Sequence, residues 1–364
     1  MLTRLAHVLD RLASSRLLPI VALGGIVLFL FAVRLLGTAT DAAAPLIERV
    51  FVRIVVGDAA ALGLGWLGAY VLANGSVIAA VAVSLFTADI VSPPQLFLLV
   101  AGSRLGAAAI VVFVGTLDYV QKAEYSLRKS VSMGLLTFLL TLSIYLPVTV
   151  IGYLALPSLQ GPFRAVSRGW SIDPTPLAVF DPLTVAITTR IGPLLSVLLA
   201  VAVLFGSLNL FDRLLGTVDT TTLRQHVFSH FQRTSVSFVL GLVVTGVTTS
   251  VAFSLGVIVP LYNRGYVERD ELIPYVLGAN LGTLLDTLLV AVVLDSAIGV
   301  AVVLELLVIA TVVTLGALAV RGPYSRFVVA VDERLLTDRS AFLAFVALLV
   351  LAPLALLLVP LVLR

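Results

Sequence analysis

Residues 241–290 read GLVVTGVTTSVAFSLGVIVPLYNRGYVERDELIPYVLGANLGTLLDTLLV, and the fold turns on this stretch. Two apolar runs, 242–249 and 250–262, are each too short to cross a bilayer and are joined through Thr248, Thr249 and Ser250. A polar elbow follows at Asn263–Glu271. Then Gly278-Ala279-Asn280-Leu281-Gly282-Thr283 interrupts a helix that otherwise reads as lipid-like. In hydrocarbon every backbone N–H and C=O needs an internal partner, so broken helices at membrane depth belong against protein or along a cavity. Small residues also let transmembrane helices pack closely with no ligand involved. Both readings stand for the Thr/Ser cluster taken alone.

Working outward, the whole chain resembles this stretch in composition. Of 364 residues, 60% are hydrophobic and 12% charged, with a mean hydropathy of +1.14. About 20 consecutive apolar residues span a bilayer, and such runs recur along the chain, which predicts an all-α polytopic membrane protein. The net charge of +3 does not point to nucleic acid, because Lys and Arg sit in short connectors. Lysine occurs only at 122 and 129. With no cysteine there is no disulfide, thiolate metal site or Cys nucleophile. His7, His226 and His230 lie in polar connectors, and the last two, four apart, have no third ligand nearby.

Full spans are expected at roughly 17–36, 95–117, 133–156, 183–208, 271–294, 297–320 and 341–363. Regions 54–91 and 236–262 are broken in the middle, at Ala73-Asn74-Gly75-Ser76 and at Thr248-Thr249-Ser250, and read as re-entrant hairpins. Residues 1–16 place Leu2, Leu5, Leu9 and Leu12 at helical spacing among Arg4, Arg11 and Arg16, as in a retained amphipathic helix lying on the membrane surface. With the N-terminus in the cytoplasm of a cell-membrane protein, fifteen Lys/Arg residues fall inside and five outside. That bias supports seven spans and two hairpins.

The sequence also repeats. Arg34-Leu35-Leu36-Gly37-Thr38 returns as Arg213-Leu214-Leu215-Gly216-Thr217, at an offset of 179 (217 − 38). Gly102-Ser103-Arg104-Leu105-Gly106 aligns with Gly278–Gly282 at 176 (282 − 106), which sets Asn74-Gly75-Ser76 opposite Ser250-Val251-Ala252. The expected organisation is a surface helix at 1–16, repeat one at 17–130, a linker span and loop at 131–182, repeat two at 183–294 and C-terminal helices at 295–364. The first helices of the two repeats run in opposite directions across the membrane. The expected fold is therefore two inverted-topology repeats, each with a re-entrant helical hairpin and a broken helix.

At these residues the chain resembles the sodium–phosphate cotransporters, the type II-like family. That family carries two inverted repeats, each with a Thr-x-x-x-Gln-Ser-Ser-Ser hairpin followed some thirty residues later by Gly-Ala-Asn-Ile-Gly-Thr-Thr. Here Gly278–Thr283 reads GANLGT; Thr245 falls on the family Thr, Thr249 on the Gln and Ser250 on the first Ser. Gly265 and Pro274 also match family-typical positions, and the likeness runs from residue 28 to about 294. Val251 and Ala252 replace two serines, the first hairpin motif is reduced to Ala73–Ser76, and its partner reads GSRLGAA (102–108), with Arg104 at the family Asn.

The resemblance implies a secondary transporter of a small inorganic anion, phosphate first, coupled to Na⁺, and not an enzyme. It implies an anion site at Thr245, Thr249, Ser250, Asn280, Thr283, Asn74 and Ser76, to which the chemistry of Arg104 adds a cation, and no cofactor other than a bound Na⁺. The residues themselves add chemistry. Ionisable groups inside membrane segments are functional hypotheses by default: Asp58, Asp89, Arg104, Arg190, Asp286 and Glu305. Arg104 and Asp286 are each expected to interrupt a broken helix. An Arg fork suits an oxyanion, and Asp286, with Thr283 and Asn280, suits a hard cation such as Na⁺; a protonatable Asp286 would admit H⁺ coupling instead. Alternatively the two neutralise each other as a buried pair. Arg34, near a span end, is expected to snorkel to the interface, and Glu305 to find a partner on a neighbouring helix. The competing function is a non-transporting membrane scaffold that keeps the fold, with the lipid bilayer its one certain partner.

Overall fold

The structure, a computed structural model, describes residues 18–121, 127–167, 176–216, 233–249, 251, 254 and 269–363. The expected surface helix at 1–16, the histidine pair at 226 and 230, the elbow at 263–268 and Ser250 lie outside them. Among the described residues there is no strand, and seven helical segments are long and apolar enough to cross a membrane, one of them, Glu271–Val293, interrupted at Thr283.

The helices run α1 Leu18–Ile54, α2 Gly57–Leu72, α3 Gly75–Thr87, α4 Pro93–Gln121, α5 Leu127–Ser167, α6 Asp181–Ile191, α7 Pro193–Gly216, α8 Thr234–Thr248, α9 Arg269–Gly282, α10 Leu284–Val293, α11 Ala297–Ala319, α12 Arg321–Thr337 and α13 Arg339–Val362. Two compact units emerge, with seams at 42/43, 172/173 and 285/286. The first holds the start of α1 with α6–α9; the second holds α2–α5 with α10–α13.

In the second unit α2 is sandwiched between α4 and α13, and α5 backs onto α4, α11 and α12. The indole Nε1 of Trp66 donates to the Tyr70 hydroxyl at 2.6 Å, and that hydroxyl donates to the Leu349 carbonyl of α13 at 2.9 Å. Between α5 and α12, Ser143 and Tyr324 share a 2.7 Å hydroxyl bond.

Glycine sets the α2–α4 crossing. A methyl on Gly65 would collide with the Leu99 carbonyl, one on Gly102 with Leu62 and Trp66, and one on Gly106 with Trp66 and Ala69. Backbone rides on backbone. In the first unit the same register recurs between α8 and α9: Gly241 meets Tyr275 and Ala279, Gly278 meets Phe238 and Leu242, and Gly282 meets Leu242 and Thr245. Seven positions of the first crossing map onto the second at a constant offset of 176 (278 − 102). Such close approach suits bilayer helices, which pack by van der Waals contact rather than by hydrophobic exclusion.

The breaks follow the same spacing. Helix α2 ends at Ala73 (φ 50) and α8 at Thr249 (φ 52), both left-handed. Asn74 then caps α3, its Oδ1 accepting from the Val77 N–H at 3.1 Å. The expected breaks of both hairpin regions therefore fall within a residue of the expected positions, although the second arm is described only at Val251 and Ser254. Ser254 lies against α9, donating from Oγ to the Tyr275 hydroxyl at 2.8 Å.

One expectation is corrected here. The helix through 278–283 does break, at Thr283 between α9 and α10, but α4 runs unbroken through Gly102–Gly106. Arginine is a good helix former where Asn is not, and Ser103 returns its Oγ–H to the Val100 carbonyl at 2.7 Å without opening the turn. Arg104 therefore sits on a continuous helix and does not interrupt one.

Candidate functional site

In the second unit the α3 N-terminus is pressed against α4: a methyl on Gly75 would lie 2.6 Å from the Ser103 carbonyl and 2.8 Å from Ala107. The Asn74–Ser76 turn is thus brought beside the Gly-Ser-Arg-Leu-Gly segment. Asn74 spends its side-chain oxygen on the helix cap, and Ser76 is half-buried.

Arg104 is 5% exposed, and its Nη2 donates to Asp286 Oδ1 at 3.3 Å and to Thr287 Oγ1 at 2.5 Å. Thr287 in turn donates to Asp286 Oδ1 at 2.9 Å, closing a triangle. Asp286 is 3% exposed, so the cation and carboxylate are removed from solvent together. Arg cannot shed its proton, and a buried guanidinium needs an anion; Asp286 supplies one. Two atoms keep unused capacity, for Arg104 Nε and Asp286 Oδ2 are buried without a hydrogen-bond partner. One donor on the cation and one acceptor on the carboxylate therefore remain. Thr287 escapes sequence reasoning because nothing in LLDTLLV separates it from an ordinary helix-facing Thr.

In the first unit Thr245 is fully buried at the α8–α9 crossing, and its Oγ1 lacks a partner. Asn280 and Thr283 are buried at the end of α9, where the Thr283 hydroxyl donates to the Asn280 carbonyl at 2.8 Å. Thr249 occupies the left-handed cap. Within this unit Thr245 lies on α8, Asn280 on α9 and Thr283 at the break that follows α9.

The other membrane charges take structural roles. Asp89 and Asp295 (φ 56 and 53) each end a helix in a Schellman motif. Ile90 N–H bonds Leu85 C=O at 2.9 Å, and Ser296 N–H bonds Ala291 C=O at 3.0 Å. Asp58, in the first turn of α2, accepts the Tyr153 hydroxyl at 2.7 Å. Arg190 is exposed in the last turn of α6, where a cation complements the helix dipole. Arg34 donates from Nη2 to Asp181 Oδ1 at 2.6 Å, with Thr38 and Thr184 alongside. A partner 147 residues away leaves no local signal. Glu305, expected to find a partner, has none: it is fully buried and both oxygens lack hydrogen bonds. Among the described residues no three His, Asp or Glu side chains converge as a metal-binding group.

No protein-family profile, curated protein sequence or solved structure matches this chain.

Proposed function

We propose that the chain is a secondary active transporter of a small inorganic anion, with phosphate as the first candidate and Na⁺ as the coupling cation, built as two inverted-topology repeats with re-entrant hairpins. In this reading it is a divergent relative of the sodium–phosphate cotransporters, and not an enzyme. The observation that carries it is the α8–α9 crossing, which presents GANLGT beside Thr245 and whose backbone contacts are matched position for position, 176 residues earlier, by the α2–α4 crossing. Duplicated hairpin-and-helix pairs are how many transporters build a midplane site.

The Arg104–Asp286 pair favours a protonated oxyanion. A hydrogen phosphate can accept from Arg104 Nε and donate to Asp286 Oδ2, the two atoms left unpartnered. The α3 N-terminus beside Ser103 adds free N–H groups and a positive dipole end. Asn280, Thr283 and Thr245 supply neutral oxygens suited to Na⁺. One observation favours a scaffold instead: Arg104 is already neutralised by Asp286, so it needs no ligand to be stable.

Uptake of labelled phosphate into proteoliposomes separates the two. Transport predicts accumulation driven by an inward Na⁺ gradient and abolished when K⁺ or choline replaces Na⁺. Equal, gradient-independent signals in all three salts would leave the scaffold.

A further inference from the structure

Helix α11 carries a carboxylate that the transport reading does not use. Glu305 is the ninth residue of the 23-residue span Ala297–Ala319, about 12 Å along its axis at 1.5 Å per residue. That depth is well inside a hydrocarbon core about 30 Å thick. The side chain is fully buried, and neither Oε1 nor Oε2 has a hydrogen-bond partner. Its neighbours at helical spacing, Ala301, Val302, Val308 and Ile309, are all apolar.

Among the described residues, the helices packed on α11 bring no hydrogen-bonded counter-charge to Glu305. They are α3, α4, α5 and α12. Helix α3 has no ionisable residue. On α4 Arg104 is committed to Asp286. Tyr145 is the buried titratable group described on α5, with Tyr153 and Arg164 further along. Helix α12 carries Arg321, Tyr324, Arg326, Asp332, Glu333 and Arg334. None of them bonds Glu305.

A bare carboxylate in such surroundings is strongly disfavoured, and the group takes up a proton instead. A Na⁺ ion would need several further oxygens, which the helical neighbours do not provide. We propose that Glu305 is a proton-binding site, holding its side chain as the neutral acid inside the membrane. Glu305 makes no hydrogen bond to the Arg104–Asp286 pair, and the proposal is independent of whether the chain transports an anion. Two carboxylates in one unit thus differ in surroundings: Asp286 lies against the Arg104 guanidinium, whereas Glu305 faces no cation and binds H⁺.

The test is infrared difference spectroscopy on reconstituted protein, wild type minus Glu305→Gln. The amide is a neutral isostere of the acid, so the variant should fold. The expected difference is loss of one protonated-carboxyl C=O band, which shifts in heavy water; loss of a carboxylate band, with no acid band lost, would overturn the proposal. Should the variant not fold, the wild type decides by treatment with a hydrophobic carbodiimide, which reacts with buried protonated acids, followed by peptide mass spectrometry. Adduct on Glu305 that declines as pH rises, with Asp286 spared, is expected. Absence of adduct on Glu305 across the pH range would overturn it.

Discussion

The α2–α4 and α8–α9 crossings share one register and differ in chemistry. In both, three glycines let the backbones touch, and a left-handed residue ends the first helix. Yet the first carries Arg104 on an unbroken helix, while the second carries Asn280 just before a break at Thr283. The comparison teaches that close packing is specified by the glycines, and that the polar residue between them is free to change. Exchange of Asn for Arg then requires an anion, and Asp286 with Thr287 meets that need.

The largest effect should come from breaking that compensation. Arg104→Leu strands Asp286 as a buried unpaired charge and should cost about 3–5 kcal/mol. The double variant Arg104→Leu/Asp286→Asn should recover most of the loss. Melting curves in detergent give both numbers, and additive losses would show that the two residues are not coupled.

Next in size is the shared packing. Gly102→Ala and Gly278→Ala should each destabilise, because overpacking costs about 1–3 kcal/mol, against a helix-propensity gain of about 0.5–1 kcal/mol. Gly206→Ala on α7 and Gly316→Ala on α11, with nothing within 4 Å of the new methyl, should be neutral or slightly stabilising. If Gly102→Ala is harmless while Gly278→Ala is not, the two crossings are not equivalent.

The smallest effect lies at the caps. A left-handed L-residue costs about 1–2 kcal/mol, partly offset because Gly loses more freedom on folding. Ala73→Gly and Thr249→Gly should therefore stabilise by a few tenths to about 1 kcal/mol in the same melts. The gain should be larger at the β-branched Thr249.

Much of this was legible in the sequence, for physical reasons. Seven spans follow from runs of apolar residues, because the bilayer sets their length. The hairpin breaks were visible at Ala73–Ser76 and Thr248–Ser250, where polar residues and an N-cap interrupt lipid-like runs. The glycine spacing gave the 176 offset. Long-range pairing was not legible: Asp181 for Arg34 and Thr287 for Arg104 lie 147 and 183 residues away. Nor was the continuity of α4, since GSRLGAA looks breakable until its glycines are seen pressed against α2.

Opposite insertion of the two crossings is the central claim, and the cysteine-free chain allows it to be tested without background. Single cysteines at Arg53, in the last turn of α1, and at Arg233, the residue before α8, would report the entry sides of the two proposed hairpins. Labelled with a membrane-impermeant maleimide in right-side-out and inside-out vesicles, Arg53→Cys should react only from outside and Arg233→Cys only from the cytoplasm. Reaction of both from the same face would contradict the inverted repeat.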